Sequence, residues 1–326
     1  MKVLLTGGAG YIGSHSAKEF LKSGFDVFII DNLSTGKKEL AKYGELIIGD
    51  LKDIDFLMDI FKRYKFDAVV HFASLSRVDE SFQNPERYYR ENVLNALNLL
   101  DCMVKFGVEF IIFSSSASVY GNPLYIPIDE SHPLNPINPY GETKMFVERI
   151  LEGYSFRYGI KYISLRYFNA AGADPELELG EIHEPETHLI PSLLLNILGK
   201  RNEFILYGND YNTKDGTAIR DFIHVTDLAK AHLLALEFLR KNKSRETINL
   251  GSGEGFSVKE VLEKVEEVTG KKVKFRVEGR RKGDPESLVA SNKKAKEFLG
   301  WKMEFSDLKT IIKTAWEWLK KYYGIC

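Results

Sequence analysis

A glycine-rich stretch near the start of the chain, residues 6–13, places the strongest constraint on the fold. It reads Thr-Gly-Gly-Ala-Gly-Tyr-Ile-Gly, follows the apolar residues 3–5 directly and opens a helical pattern. Gly7 and Gly10 let the backbone turn tightly and approach a pyrophosphate, and Gly13 lets the helix close on the strand. Unpaired N–H groups at a helix N-terminus attract phosphate. The sequence therefore predicts a dinucleotide-binding strand-turn-helix unit.

An acidic residue selects the cofactor. Asp31 ends a second apolar run, residues 27–30, at the distance of about 20 residues where a carboxylate accepts hydrogen bonds from an adenosine ribose. It would repel the 2′-phosphate of NADP, and no arginine follows to bind that group. Lys37 and Lys38 lie a few residues beyond and are typical of a solvated surface. These residues favour NAD.

Composition limits the possible partners. The 326 residues, of which 44% are hydrophobic, suffice for one large or about two ordinary domains. A formal net charge of −1 gives no overall field for nucleic acid or an anionic membrane, so we predict neither partner. Seven histidines show no metal-binding spacing, and we predict no metal.

The cellular compartment is predicted from cysteines and apolar runs. Cys102 and Cys326 are too few for a disulfide framework, which favours a reducing cytoplasm. The first strand begins within three residues of Met1 and leaves no room for a signal peptide. No apolar run approaches the ~18 residues of a membrane span.

Short apolar runs alternate with helix-length segments in the first half of the chain. We predict strands near residues 2–6, 26–30, 45–48, 67–71, 110–114 and 161–166, with helices near 12–23, 53–64, 84–106 and 141–158. This alternation predicts an α/β fold with a doubly wound parallel sheet.

A second, smaller α/β lobe is expected after residues 170–188, which are rich in Gly, Pro and Glu. We divide the chain into a dinucleotide-binding domain, 1–168, and a substrate lobe, 169–326, with the boundary crossed more than once, for example near 222–245. Helices are predicted in this lobe near 189–199, 226–241, 257–269 and 306–322, and strands near 204–207, 247–250 and 273–277. The ligand cleft should lie between the two parts.

Candidate catalytic residues follow the fifth strand. Serines at 114–116 lie at its carboxyl end, where open α/β sheets bind their ligands. Tyr140 and Lys144 are one helical turn apart, and of 16 tyrosines only Tyr140 has a lysine four residues on. A surface tyrosine packed on a lysine stem would give the same spacing. The serines and the glycine-rich turn favour a catalytic role.

The chemistry of this trio suits oxidation of an alcohol. An alcohol that gives hydride to a nicotinamide must also lose a proton, and a tyrosine phenolate can accept it. The pKa of tyrosine, near 10, would have to fall by about 3 units, which requires about 4 kcal/mol. A Lys144 ammonium at ~4 Å supplies about that much at an effective dielectric constant of ~20, before the cost of its own desolvation, and a positive nicotinamide ring would help. Ser116 would hydrogen-bond the reacting oxygen.

The pattern Thr-Gly-x-x-Gly-x-x-Gly, the serine and Tyr-x-x-x-Lys resemble the extended short-chain dehydrogenase/reductase family over nearly the whole chain. Residues 114–121, 166–169, 207–217 and 220–225 are similar to those of its nucleotide-sugar 4-epimerases. The resemblance implies a Rossmann-type fold, bound NAD, a UDP-sugar substrate and a homodimer that pairs the helices near 84–106 and 141–158. It also implies interconversion of UDP-galactose and UDP-glucose through oxidation at hexose C4, rotation of the 4-keto sugar and return of the hydride.

The resemblance further implies a role for each residue at a matching position. The residues expected to contact the cofactor are Gly7, Gly10, Tyr11, Ile12, Gly13, Asp31, Asn32, Asp50, Leu51, Phe72, Ala73, Asn92, Tyr140, Lys144 and Phe168. Those expected to contact the UDP-sugar are Ser116, Tyr140, Asn169, His188, Leu189, Tyr207, Arg220, Arg281 and Asp284. Tyr140, Lys144 and Ser116 are the expected catalytic residues.

Three positions depart from the commonest family pattern. Ser76 stands where a lysine is frequent, His188 where an asparagine often contacts the diphosphate, and Leu288 where a tyrosine limits the sugar pocket. Leu288 predicts that a 2-N-acetyl sugar is also accepted.

The sequence leaves three further functions open. A nucleotide-sugar 4,6-dehydratase would carry an Asp-Glu pair after the active-site serine, where this chain has Ala117-Ser118. A 4-epimerase of a UDP-pentose or UDP-uronate is compatible with the same motifs, and so is a non-catalytic NAD-binding protein.

Overall fold

The computed structural model describes residues 1–325, and thirteen strands form within that range. Cys326, one of the two cysteines, lies outside the described residues. The strands are Lys2–Thr6 (β1), Asp26–Asp31 (β2), Glu45–Ile48 (β3), Ala68–His71 (β4), Phe110–Ser116 (β5), Lys161–Tyr167 (β6), Asn169–Ala171 (β7), Phe204–Tyr207 (β8), Ile219–His224 (β9), Arg245–Leu250 (β10), Gly255–Ser257 (β11), Phe275–Glu278 (β12) and Ser287–Leu288 (β13).

The helices alternate with these strands. They are Tyr11–Lys22 (α1), Ile54–Tyr64 (α2), Val78–Gln83 (α3), Pro85–Tyr88 (α4), Asn95–Phe106 (α5), Pro139–Tyr158 (α6), Leu189–Ile197 (α7), Val225–Asn242 (α8), Val258–Thr269 (α9), Lys293–Leu299 (α10) and Leu308–Tyr322 (α11). A π-helical segment, Tyr89–Leu94, joins α4 to α5, so the helix predicted near 84–106 changes its hydrogen-bond pattern partway. Within the described residues, no helix combines the length and apolar character needed to cross a membrane.

Seven strands form one parallel sheet in the order β10-β6-β5-β4-β1-β2-β3. Side chains alternate between its two faces, as the pleat requires. Val3 and Leu5 pack into a core with α1 and α8, whereas Leu4 packs on the other face with α2, α5 and α6. Helices therefore cover both faces, and the predicted doubly wound α/β fold is confirmed.

The smaller lobe lies beyond the carboxyl edge of this sheet. Strands β7, β9, β11 and β13 form one small sheet, and β8 and β12 form another. Helices α7, α9 and α11 pack against this lobe around a separate apolar core that includes Leu193, Val261 and Ile312. This arrangement places the predicted substrate residues opposite the strand ends that carry the serines.

The sequence-based prediction placed one strand in the wrong lobe. The strand predicted near 247–250 in the second lobe is β10, and it extends the large sheet beside β6. Its apolar Ile248 and Leu250 are fully buried in the same core as α8 and Trp301. The chain thus returns to the first sheet after residue 169, and a division at residue 168 stays a prediction.

Candidate active site

A cavity of about 1030 Å³ lies between the carboxyl ends of the large sheet and the smaller lobe. Its volume is at the upper end of the range for ligand sites. Every residue predicted above to contact the cofactor or the UDP-sugar lines this cavity except Asn92, and Leu288 and Ser76 line it as well.

The glycine-rich turn approaches the neighbouring backbone so closely that side chains are excluded. Gly7 has a φ of +73°, and a Cβ placed on it would lie 2.6 Å from the backbone nitrogen of Ala73. A Cβ on Gly13 would lie 2.4 Å from the carbonyl oxygen of Gly7. Helix α1 begins at Tyr11 with Gly10 as its N-cap, which contributes no capping side chain. The helix N-terminus is thus left accessible to an anionic ligand, which fits a pyrophosphate.

Asp31 is held at the end of β2 by backbone donors. The amide of Ala9 donates to its Oδ2 at 3.0 Å, and the amide of Leu33 donates to its Oδ1 at 2.8 Å. Burial raises the pKa of Asp31, and these two hydrogen bonds oppose the rise. A carboxylate has about four acceptor positions, so two stay available for ribose hydroxyls. Asn32 donates from Nδ2 to Asp50 at 3.0 Å, which ties the two predicted adenosine contacts together.

Ser116, Tyr140 and Lys144 meet at the centre of the cavity. Ser116 is the last residue of β5, and α6 begins at Pro139 with Asn138 as its N-cap. The Nζ of Lys144 donates to Ser74 Oγ and to the carbonyl of Ser114, each at 2.8 Å. The same Nζ lies 5.8 Å from the centre of the Tyr140 ring.

Burial shifts the pKa values of both Tyr140 and Lys144. Burial raises the pKa of Tyr140, and a hydrogen bond with Ser116 opposes it. Burial also lowers the pKa of Lys144 to about 7, against an opposing attraction from Glu148. A lysine that is only partly protonated at neutral pH does not bring the Tyr140 pKa down by itself. Desolvation outweighs the lysine field in the cofactor-free cavity, and activation of Tyr140 by Lys144 together with a positive nicotinamide ring stays a prediction.

A buried polar network behind this trio was not recognised from the sequence. Glu148 accepts hydrogen bonds from Ser115 Oγ at 2.6 Å and from the Arg166 guanidinium at 2.9 and 2.5 Å. Arg166 also donates to the hydroxyl of Tyr120 at 2.9 Å. Glu148 lies one helical turn beyond Lys144, and that spacing could have identified it. The network fixes β5, β6 and α6 relative to one another.

Two arginines and a carboxylate define the opposite end of the cavity. Arg281 donates from Nε to Asp284 at 2.9 Å, and the Arg220 guanidinium lies 3.9 Å from the same carboxylate. The guanidinium of Arg281 also stacks 4.9 Å from the centre of the Tyr207 ring. Burial lowers the pKa of Arg220, with Asp284 opposing. The two guanidinium groups outnumber the single carboxylate, so this end of the cavity carries a net positive charge that suits a diphosphate.

Asn92 is the predicted contact that lies outside the cavity. Its Oδ1 accepts from the amide of Leu75 at 2.7 Å, and its Nδ2 donates to the Leu75 carbonyl and to Thr143 Oγ1, both at 3.0 Å. The side chain is thus occupied in fixing Leu75, which does line the cavity. Asn92 therefore stabilises the position of Leu75 in the cavity wall through hydrogen bonds to its backbone.

His188 belongs to a compact group of titratable side chains at the edge of the cavity. Its Nδ1 lies 2.8 Å from Glu181 and 2.9 Å from Glu186. His183 faces the same two carboxylates at 3.0 and 3.7 Å. Burial lowers the pKa of His183, but its hydrogen bonds to the glutamates outweigh burial and raise it to about 9. We call these four residues the His-Glu cluster.

The cavity therefore combines a dinucleotide clamp at one end, a positive end opposite it, and a buried tyrosine with serine and lysine between them. This arrangement defines a nucleotide-dependent enzyme that moves a proton and a hydride at an alcohol carbon.

Comparison with known proteins identifies the class more closely. The model of the NAD dependent epimerase/dehydratase family matches residues 3–251. The UDP-glucose 4-epimerase of Halalkalibacterium halodurans is 47% identical over 322 residues, which cover 99% of this chain and 96% of that protein. The crystal structure of UDP-glucose 4-epimerase from Brucella ovis in complex with NAD superposes with a TM-score of 0.94 at 45% identity, covering 97% of each chain. The UDP-Glc/GlcNAc 4-epimerase of Campylobacter jejuni has a TM-score of 0.85 at 42% identity and covers 98% of this chain and 99% of its own. The chain belongs to the NAD dependent epimerase/dehydratase family.

Proposed function

We propose that this chain is an NAD-dependent isomerase that interconverts UDP-galactose and UDP-glucose. The observation that carries the proposal is the convergence of Ser116, Tyr140 and Lys144 in one cavity between a dinucleotide clamp and a positive end. Full-length relatives named UDP-glucose 4-epimerase support the same substrate.

Bound NAD would supply a reversible acceptor for the C4 hydride and would be unchanged after each turnover. Gly7, Gly10 and Gly13 would hold its pyrophosphate, and Asp31 its adenosine ribose, because the turn excludes side chains and the carboxylate keeps free acceptor positions. Tyr140 accepts the proton of the C4 hydroxyl as the hydride leaves, and returns it when the hydride comes back. Ser116 hydrogen-bonds the same oxygen.

Activation of Tyr140 requires positive charge that the cofactor-free cavity supplies only in part. The Nζ of Lys144 is the nearest cation to its ring, and the lysine pKa of about 7 makes it roughly half protonated at neutral pH. Additional positive charge beside the phenol would favour the phenolate. A nicotinamide ring in its oxidised, cationic form has that charge.

If the UDP part of the substrate is held in place, either face of the hexose can be turned toward the cofactor. Arg220 and Arg281 would bind the diphosphate, with Asp284 and Tyr207 beside the uridine and Asn169, His188 and Leu189 along the sugar phosphate. Binding energy from this non-reacting end holds the substrate while the 4-keto hexose turns.

Dehydration is disfavoured by the residues beside the catalytic serine. Ala117 and Ser118 follow Ser116 along the cavity wall, and neither offers the carboxyl group that elimination of water requires. Epimerisation of a UDP-pentose or UDP-uronate, and NAD binding without catalysis, are outcomes that the experiment below distinguishes.

The proposal is tested by proton NMR of UDP-galactose mixed with the purified protein and no added nucleotide, followed by acid release of bound cofactor. We expect UDP-glucose to accumulate to equilibrium and NAD to be recovered from the protein. Absence of product, even after NAD is supplied, contradicts the proposal. NAD retained without turnover of any UDP-sugar would indicate a binding protein.

Leu288 is expected to permit turnover of UDP-N-acetylglucosamine. Its side chain packs in a cluster with Ala117 and Phe168 at the cavity wall, where a larger residue would take up sugar space. The similar Campylobacter jejuni protein is named for both UDP-Glc and UDP-GlcNAc. We expect Leu288→Tyr to reduce kcat/KM for the N-acetylated sugar at least about tenfold more than for UDP-galactose, a difference of about 1.4 kcal/mol. Equal losses for both sugars, measured by NMR, would show that Leu288 does not set this preference.

We also propose a homodimer that pairs the helical faces of α5 and α6. Leu94, at the end of the π-helical segment that leads into α5, is 46% exposed, and Phe146 in α6 is 40% exposed. The rings of Tyr89, in the same π-helical segment, and Phe146 are 6.3 Å apart. Exposed apolar side chains on adjoining helices are typical of a contact surface. Light scattering should give twice the chain mass of 37.2 kDa, and Phe146→Glu should shift it toward the monomer. Leu124→Glu is the control, since Leu124 is 78% exposed on a distant loop. A wild-type monomer would contradict the dimer.

A cytoplasmic location completes the proposal. Cys102 is buried and forms no disulfide within residues 1–325, which is consistent with a reducing compartment.

A further inference from the structure

The His-Glu cluster has the composition of a metal site. Glu181, His183, Glu186 and His188 each offer one ligand atom, and all four atoms lie within 4.8 Å of one another. Two imidazoles and two carboxylates form a ligand set suited to zinc. The spacing of the histidines alone predicts no metal, because two of the four ligands are glutamates.

The two carboxylates of the cluster are buried and need positive charge close by. The side chains of Glu181 and Glu186 are only 6% and 7% exposed. Within residues 1–325 the ion-pair partners of both carboxylates are the two histidines, and no lysine or arginine side chain pairs with either. Buried carboxylates require compensating positive charge. Two protonated imidazoles compensate them in the metal-free protein, and one divalent cation with two neutral imidazoles would compensate them equally.

The geometry matches a tetrahedral ion. The Nδ1 atoms of both histidines point toward the same Oε1 of Glu181, at 3.0 and 2.8 Å. The corresponding distances to Glu186 are 3.7 Å for His183 and 2.9 Å for His188. Zinc bonds of about 2.0–2.1 Å place tetrahedral ligands about 3.3 Å apart, so the observed distances lie on both sides of that spacing.

A neighbouring acidic group is neutralised by a lysine instead of by histidines. Asp174, Glu176 and Glu178 also converge, but the Nζ of Lys18 contacts all three at 2.7, 2.7 and 2.8 Å. That group already contains its cation. The comparison singles out the His-Glu cluster.

We propose that Glu181, His183, Glu186 and His188 bind one structural zinc ion at the edge of the cavity. Four protein ligands fill a tetrahedral shell, which is typical of a structural rather than a catalytic ion. The proposal does not rest on the reaction assigned above. His188 would serve in both, because its Nδ1 faces the two glutamates and its Nε2 stays available to the sugar phosphate.

The site would join two parts of the cavity. His188 is the N-cap of α7, whose first residue, Leu189, lines the cavity. On the other side, the ring of Tyr11 in the glycine-rich turn lies 6.4 Å from the ring of His183, edge to face. A bound zinc would hold residues 181–188 against the dinucleotide clamp and fix the start of α7.

The test uses untagged, NAD-containing protein treated with a zinc chelator, dialysed and then exposed to ZnCl₂. Elemental analysis should recover about one zinc per chain after excess metal is removed, and zinc should raise the Tm because it binds the folded state. Co²⁺ in place of zinc should give the visible absorption of a tetrahedral ion. Zinc that washes out completely, or an octahedral Co²⁺ spectrum, overturns the proposal.

Variants locate the ion. Glu186→Gln and His183→Gln should each lose the retained zinc and the Tm increase. Glu176→Gln is the matched control, because it removes a carboxylate from the same segment without touching the cluster. Equal zinc retention by His183→Gln and wild-type protein would overturn the assignment. Retained NAD and an unchanged circular dichroism spectrum identify correctly folded variants, and the Co²⁺ spectrum of wild-type protein tests the site without any substitution. A missing metal would leave the NMR result for epimerisation unaffected.

Discussion

Tyr140→Phe is expected to reduce turnover of UDP-galactose about 10³-fold while NAD stays bound. Proton transfer by a positioned side chain typically contributes between about 10² and 10⁴ in rate. The substitution removes only the phenolic oxygen from a ring that is 9% exposed, so packing around it should be kept. Rates by NMR and bound cofactor by acid release give the two readouts.

The matched control for this substitution is Tyr167→Phe. Tyr167 is also buried and lines the same cavity, and its hydroxyl hydrogen-bonds Ser114 Oγ. Removing that hydroxyl should cost about tenfold or less in turnover, because the hydroxyl is paired with Ser114 Oγ and is not assigned to the reacting oxygen. Equal losses in the two variants would take the proton-transfer role away from Tyr140.

Ser116→Ala should cost less than Tyr140→Phe, and the double variant should lose less than the product of the two effects. Both side chains act on one substrate oxygen, and a hydrogen bond already links them. Residues that act as a unit are strongly non-additive. Independent effects would place Ser116 outside the proton-transfer step.

Gly7→Ala is expected to abolish NAD retention and lower the free energy of unfolding by about 3 kcal/mol. A left-handed backbone costs an alanine about 1–2 kcal/mol, and overpacking adds about 1–3 kcal/mol. The clash involves backbone, since the added Cβ would lie 2.6 Å from the nitrogen and 2.8 Å from the Cα of Ala73. Movement of either segment would deform the pyrophosphate site. Urea unfolding and cofactor analysis measure the two effects.

Gly24→Ala separates backbone strain from the clash. Gly24 has a φ of +81°, close to that of Gly7, but a Cβ there would meet nothing within 4 Å. This variant should lose about 1 kcal/mol of stability and keep its cofactor. If both variants lose NAD equally, close approach at Gly7 is not what forms the clamp.

The first half of the fold could be predicted from sequence because its signals are local. Apolar runs alternate with amphipathic segments there, and each run became a strand of the parallel sheet. The glycine-rich turn and Asp31 could also be recognised from the sequence. A tight turn beside a pyrophosphate requires glycine, and a ribose contact requires a carboxylate at a fixed distance along the chain. Motif spacing also indicated Ser116, Tyr140 and Lys144, and all three line one cavity.

Features that depend on contacts distant in sequence were missed. The sequence of β10 identifies a strand but not its neighbour, and its place beside β6 follows from how α8 packs on α1. The hydrogen bonds of Asn92 to Leu75 and Thr143 were not visible in the sequence, and its contact with the cofactor stays a prediction. The lowered pKa of Lys144 depends on complete burial, which no residue pattern reports.

The connection between the two sheets limits how this molecule can move. Only Phe168 separates β6 of the large sheet from β7, and β7 pairs with β9, whose last residue adjoins α8. Helix α8 then leads back to the large sheet through β10. Residues 251–254 then lead from β10 out to β11 in the smaller lobe, so at least three short covalent links join the lobes and none of them is a long flexible linker. We infer that the cavity walls stay fixed during a reaction cycle, and that the sugar, rather than a closing domain, is the moving part.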